Sequence, residues 1–206
     1  MVFILVESLS SSFSGKNADE ISYTPFLDSL SESSLYFENM LATGERTFAA
    51  LPSIFGSLPH GNRGFTHKKY GFPKANTLIR WLSDNGYYSS FFYGGHARFD
   101  YMDLFLHDQG INVIKDKNKY DYSGTTLKTS IDSLPFGITD KKLFEEYIDI
   151  LEQSTTKAPR LDILLTLSMH YPFQTENAEQ YKAEVLKNIE ESSVPEKLKE
   201  KHRQYT

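Results

Sequence analysis

Cysteine is absent from all 206 residues, and that one absence removes disulfide frameworks, thiolate metal sites and a cysteine nucleophile together. Any metal must then be held by oxygen or nitrogen. A basic excess is missing too: 22 Lys and Arg stand against 27 Asp and Glu, a formal net charge of -5. No broad cationic surface is available to track a polyanion, so nucleic acid is not an expected partner. No apolar run approaches the ~20 residues that span a bilayer. The first one, "VFILV" at 2 to 6, meets Glu7 with no basic residue ahead of it, which is neither a signal peptide nor a membrane span.

What is present suits one α/β core, at 39% hydrophobic and 14% aromatic residues, and the length is too short for two enzyme domains. Three short apolar runs, "VFILV", "YYSSFFY" at 87 to 93 and "DILLTLS" at 162 to 168, read as strands separated by helical patterns. That alternation implies a mostly parallel sheet covered by helices on both faces. The first run is expected to be a buried, central strand, which makes Met1 read as an artificial or internal start. Helices are expected over "TPFLDSLSESS", with Thr24 as N-cap, Pro25 at the first helical position and Phe26, Leu27 and Leu30 on one side. Others are expected from Asn76 to a stop at Asn85 and Gly86, over "FDYMDLFLHDQG" to Gly110, and behind Thr139 with Phe144, Tyr147, Ile148 and Leu151 at helical spacing. The polar stretch 115 to 138, broken by Gly124, Pro135 and Gly137, reads as a long surface loop. The charged tail from Asn177 to Thr206 reads as two loosely held helical stretches divided near Pro195.

Ligands of open parallel sheets bind beyond the carboxyl ends of the strands. All three strand exits carry polar groups: Glu7 after the first, "GGHARFD" with His96 after the second, "MHYPF" with His170 after the third. A carboxylate at the rim of a dry sheet is costly unless a cation or donors meet it. A divalent metal would meet Glu7, and the plainer alternative is a loop residue or helix-cap partner. "GERT" then supplies a turn at Gly44, a cation at Arg46 and the Thr47 hydroxyl where the helix "TFAALPSIFGSL" begins. Helix amides and an adjacent metal would favour an ionised hydroxyl, making Thr47 a candidate nucleophile toward phosphorus or sulfur. Its alternative is a simple N-cap. Arg46 has a surface salt bridge as its alternative, and His170 a satisfied buried histidine.

The blocks "FILVESLS", "TPFLDSLSESSLYFENMLATGERTFAALPSIFGSLP", "FFYGGHARFDYMDLFLHDQGI", "FGITDKKLFEEYIDIL" and "LLTLSMHYPF" resemble, in that order, the lipoteichoic acid synthase and phosphoglycerol transferase group of the sulfatase and alkaline phosphatase superfamily. The resemblance implies an alkaline phosphatase-like three-layer sandwich. It makes residues 1 to 206 the N-terminal portion of a catalytic domain, truncated at its C-terminal side, with core blocks over 2 to 173 and a charged helical tail over 174 to 206. It implies Glu7 as the first metal-ligand glutamate, Thr47 as the catalytic threonine that also touches the metal, and His170 near the substrate's phosphate and glycerol groups. The "GGHARFD" block matches a substrate-side loop, where this chain has His96 in place of the acidic or amide residue often found there; Arg98, Phe99 and Asp100 belong to the same wall. The Asp-His pair of a "DHG" setting, which completes the family's metal site, does not occur in this sequence.

The implied cofactor is a divalent metal, manganese, magnesium or zinc, and the implied substrate a phospholipid or glycolipid. The family's catalytic domain faces outward from the bacterial cytoplasmic membrane on preceding transmembrane helices, absent from this sequence, so the expected localisation is the cell membrane with an extracytoplasmic domain. The piece alone is expected to be soluble and inactive, and missing later strands would leave an open edge inviting self-association. A sulfatase is the nearest rival, but it needs a cysteine or serine followed by proline and arginine, an arrangement not found after Gly44. A phosphoethanolamine transferase typically adds cysteines near its nucleophile. A binding module for phosphate or glycolipid groups, without turnover, is the alternative from another class.

Overall fold

Alternation of short apolar runs with amphipathic segments produces the order β1 (Val2–Leu5), α1 (Pro25–Glu32), α2 (Thr47–Gly56), α3 (Leu78–Asp84), β2 (Tyr88–Tyr93), α4 (Met102–Asp108), β3 (Val113–Lys115), β4 (Thr126–Lys128), β5 (Pro135–Ile138), α5 (Asp140–Glu152), β6 (Arg160–Leu165), α6 (Ala178–Glu191) and α7 (Glu196–Arg203). This computed structural model describes residues 1–15, 18, 21–44, 46–58, 75–120, 126–128 and 135–204. They form two compact units, one of Met1–Glu7 with Leu41–Thr175, the other of Ser8–Met40 with Glu176–Thr206.

In the first unit four strands pair in the order β1-β6-β2-β3, every neighbour parallel. The expected parallel, helix-covered α/β sheet is therefore what forms. Its faces bury different sets. Phe91, Tyr93, Leu161, Ile163 and Leu165 pack with Leu51 and Phe55 of α2, Ile79 and Leu82 of α3, and Phe105 and Leu106 of α4. On the other side Phe92 and Leu164 pack with Leu143 and Tyr147 of α5. Alternate residues of a strand point to opposite faces, so the apolar residues of β2 and β6 serve two cores at once.

β1 corrects the expectation of a central strand: it lies at the sheet edge, with β6 and β2 inside. Phe3 and Leu5 pack inward, Phe3 edge-on to Phe55 at 5.0 Å, whereas Val2 and Ile4 are each 51% exposed. An apolar run shows that a strand is suited to burial; its place in the sheet depends on partners the run does not encode.

The expected loop 115 to 138 is also corrected in part. β4 and β5 pair as an antiparallel ribbon, while Gly124 lies outside the described residues. Ribbon and sheet meet through glycines. Ile138 donates its amide to Gly94 O at 3.0 Å, and a Cβ on Gly137 would collide with that same carbonyl group. Close backbone approach excludes any side chain at Gly137.

The start of α5 agrees with the expected Thr139, whose hydroxyl accepts from the Lys142 amide, and at α3 the Thr77 hydroxyl accepts from the Arg80 amide. The α3 cap is thus one residue beyond Asn76.

The second unit holds α1, α6 and α7. Thr24 occupies the N-cap position of α1 without a side-chain bond to its helix; its hydroxyl bonds Ser14 Oγ at 2.6 Å instead. The expected helix forms with Pro25 at its start, and none of its residues, Phe26, Leu27 and Leu30 included, is buried. The tail is held more firmly than its charge suggests. Ile189 is fully buried, Arg203 pairs with Glu190 at 2.7 Å and Glu196 at 2.8 Å, and Tyr23 OH meets His202 Nδ1 at 2.6 Å.

Candidate active site at the carboxyl edge of the sheet

Because all four strands run the same way, their carboxyl ends share one edge, and the sheet order fixes the order of the residues just beyond those ends. Glu7 comes after β1, His170 after β6, His96 after β2 and Asp116 after β3.

Glu7 is placed by β6. Its backbone amide donates to Thr166 Oγ1 at 2.8 Å, and the Thr166 amide donates to Leu5 O at 3.0 Å. Thr166 is 4% exposed, so a buried hydroxyl one residue past β6 fixes the backbone that carries the carboxylate. Sequence reasoning alone misses Thr166, although a hydroxyl inside the apolar run "ILLTLS" is its signal.

Thr47 is the first residue of α2, and Arg46, in extended conformation, is its N-cap. The N-cap alternative for Thr47 is thereby corrected. Its Oγ1 donates instead to Glu7 Oε2 at 2.7 Å. The hydroxyl and carboxylate singled out in the sequence are in contact, at a helix N-terminus whose amides favour negative charge. Arg46 is exposed and has no ion partner among the described residues, so the surface salt bridge is not its role there. Glu45 lies outside the described residues.

His170 is exposed, which excludes the satisfied buried histidine. Its ring packs on Phe136 of β5 at 5.0 Å between centroids, and Nδ1 sits 2.9 Å from Tyr171 O. A carbonyl only accepts, so this contact places hydrogen on Nδ1 and leaves Nε2 as the accepting nitrogen. The loop carrying His170 is clamped by Asp140, the first residue of α5. Asp140 Oδ1 accepts the amides of Leu167 at 2.6 Å and Ser168 at 3.1 Å, and the Asp140 amide donates to Ser168 Oγ at 3.0 Å. Asp140 too escapes sequence reasoning, in which "TDKK" is only a helix start.

The "GGHARFD" loop divides. Phe99 packs edge-on to Phe48 at 6.4 Å, which brings the loop against the first turn of α2. Asp100 and Tyr101 both adopt left-handed backbone, φ 45 and 61, a strained pair for residues with side chains. His96 and Arg98 line a cleft of about 410 Å³ with Asp103, His107, Asp116 and Lys119; Glu7, Thr47, His170 and Asp100 are not part of its lining. Within it Asp116, 7% exposed, accepts the Ala97 and Asn118 amides, each at 3.1 Å. His96 Nδ1 stands 3.2 Å from the Arg98 amide and 3.3 Å from Asp116.

As a metal site the pair Glu7 and Thr47 offers two oxygen donors close enough to share one hard divalent cation. Among the described residues no group of three or more His, Asp or Glu could hold a metal ion. Among the same residues no helix is long and apolar enough to cross a membrane.

Comparison with known proteins agrees with this architecture. The sulfatase family model matches residues 1–202. A lipoteichoic acid synthase-like protein of Bacillus subtilis, YvgJ, is 24% identical over 186 residues, covering 87% of this chain and 28% of its own length. The chain thus spans little more than a quarter of that relative. Among solved structures, a Vibrio parahaemolyticus protein in the alkaline phosphatase superfamily superposes with TM-score 0.73 at 22% identity, over 93% of this chain and 50% of its own. The lipoteichoic acid synthase LtaP of Listeria monocytogenes gives 0.70 at 23%, over 98% and 47%. The periplasmic domain of EptC from Escherichia coli, solved with Zn, gives 0.56 at 12%, over 98% and 53%.

Proposed function

The chain belongs to the sulfatase family, and from that premise we propose that it is the N-terminal portion of a phosphotransferase that moves a phosphoglycerol-type group from a phospholipid or glycolipid through Thr47. The observation that carries this reading is the Thr47 hydroxyl directed at Glu7 Oε2 across 2.7 Å. The similarity to lipoteichoic acid synthase-like proteins supports the substrate class.

Thr47 Oγ attacks the phosphorus of a phosphodiester. Its proton passes toward Glu7 Oε2, the acceptor it already faces, while the bond from phosphorus to the leaving alcohol oxygen breaks and that oxygen gains a proton. A second alcohol then attacks the phosphothreonine, the bond from phosphorus to Thr47 Oγ breaks, and the alcohol's proton passes by way of Glu7 to Thr47 Oγ, which restores the hydroxyl. Glu7 and Thr47 would hold the divalent metal, manganese, magnesium or zinc, which when bound polarises phosphoryl oxygens and favours an ionised hydroxyl. Arg46 offers positive charge to the transferring phosphoryl, where one well-placed donor contributes about 3 to 4 kcal/mol, and His170 Nε2, the accepting nitrogen in the tautomer set by Tyr171 O, takes a hydrogen bond from a hydroxyl of the glycerol or of the incoming alcohol. His96, Arg98 and Asp100 belong in this reading to the substrate-side wall. The complete enzyme would act at the outer face of the bacterial cytoplasmic membrane.

Thr47→Ala in the full-length protein tests the reading: transfer of the phosphoglycerol group should vanish while the melting temperature is kept. Substantial residual transfer would end it. Sulfate ester hydrolysis by a direct threonine mechanism is the competing outcome, separated by offering sulfate and phosphate diesters side by side.

A further inference from the structure

Tyr93 closes β2 at the carboxyl edge of the sheet, in the register row Leu5, Leu165, Tyr93. All three belong to the core shared with α2, so the phenol lies on the face of the sheet from which Thr47 and Glu7 meet. Its ring is held in place. A Cβ on Gly95 would come within 2.6 Å of Tyr93 Cζ and 2.8 Å of its hydroxyl, so with the ring in this position residue 95 has no room for a side chain.

The Tyr93 hydroxyl is buried, with the residue 6% exposed, and it has no hydrogen-bond partner among the described residues. Burial, and after it the Glu7 carboxylate, push the phenol well above its ordinary value. It therefore stays an O–H donor at any physiological pH. A buried donor without an acceptor is costly and uncommon, and calls for a partner.

Resting on the phosphotransferase reading above, we propose that Tyr93 is a substrate-binding residue of the same site, donating its hydroxyl to a phosphoryl oxygen of the group that Thr47 receives. The acceptor is an anionic oxygen of a phosphate mono- or diester. Gly95 is kept small so that the ring can reach it.

The test compares full-length wild type with Tyr93→Phe, titrated with glycerol 3-phosphate in the presence of magnesium. Loss of the donor should weaken binding about tenfold or more. The melting temperature should stay equal or rise, because Phe keeps the ring and removes an unpartnered polar group. A purely structural tyrosine would give the reverse pattern, a lower melting temperature at unchanged affinity, and that would overturn the proposal. So would wild type with no measurable affinity, or a variant that binds as wild type does, as expected if the hydroxyl serves only an ordered water. Thr47→Ala separates the two levels. Retained transfer in Thr47→Ala with weakened binding in Tyr93→Phe removes the nucleophile and leaves Tyr93. Abolished transfer with unchanged Tyr93→Phe binding does the opposite.

Discussion

Thr47 Oγ1 and Glu7 Oε2 lie 2.7 Å apart although 40 positions separate them in the chain. The contact exists because β1 and α2 deliver their ends to the same corner, β1 through its register with β6 and α2 through Leu51 and Phe55 in the core beneath the sheet. Each delivery can be disturbed separately.

Two oxygen donors hold a divalent ion weakly. With a dissociation constant near 1 mM, manganese at about that concentration adds about 0.4 kcal/mol, which moves the melting temperature of a chain this size by about 1 to 2 °C. Glu7→Gln should remove that increment. Differential scanning fluorimetry decides the matter, and a rise beyond about 5 °C for wild type would mean that further ligands come from within these 206 residues.

Thr166→Val deprives the Glu7 amide of its acceptor while preserving shape. The expected cost is about 1 to 2 kcal/mol in urea unfolding, with the Glu7 amide showing the largest chemical-shift change near the strand ends. Thr166→Ser should restore both, since only the hydroxyl is at issue.

Deeper in β6, Asp162 is 2% exposed and receives Arg160 through two nitrogens, at 2.7 and 3.1 Å, together with the hydroxyls of Ser90 and Tyr147. Asp162→Ala strands these donors, so a loss of about 3 to 5 kcal/mol is expected. Chemical denaturation measures it, and a loss below about 1 kcal/mol would reduce this network to the level of a surface ion pair.

Glu146 accepts from Lys115 Nζ at 2.7 Å, with both side chains about four-fifths buried. Lys115, assisted by Lys142, holds the Glu146 carboxyl below its ordinary value of 4.5. A carboxyl lowered by folding stabilises the fold above its unfolded value and loses that contribution as pH falls through the folded one. Glu146→Gln should therefore cost about 1 kcal/mol at neutral pH. The gap between variant and wild type should shrink below pH 4.5 and close as pH falls further; a gap constant with pH would sink the assignment.

Gly137→Ala places a methyl group against the Gly94 carbonyl and the Leu167 side chain. Backbone cannot yield cheaply there, so we expect about 2 to 4 kcal/mol of destabilisation. The His170 ring resonances should shift with it, because Phe136, the adjacent residue, carries that ring. Unshifted His170 signals would show that the ribbon does not position the histidine.

Much of this is legible in the residues. The runs at 2 to 6, 87 to 93 and 162 to 168 form strands with ends within three residues of those expected, because apolar runs this short are too brief for a helix and suit a buried strand. The helix behind Thr139 is announced by its cap, and α3 starts one residue beyond the expected Asn76, on the Thr77 hydroxyl. β3 and β5 are not legible: three or four residues are too few to show a period, and Pro135 and Gly137 disguise a strand whose purpose is close approach to Gly94. Glu7 and Thr47 can be named from their settings. Thr166, Asp140 and Tyr93 cannot, since their importance lies in partners distant in sequence and in a register that only the paired sheet defines.

β1 has β6 on one flank and, among the described residues, no strand on the other. Its remaining backbone amides and carbonyls form an open seam only two residues from Glu7. A strand laid along that seam would hydrogen-bond within two residues of the carboxylate that faces Thr47, so whatever pairs with this edge becomes a neighbour of the site's charge.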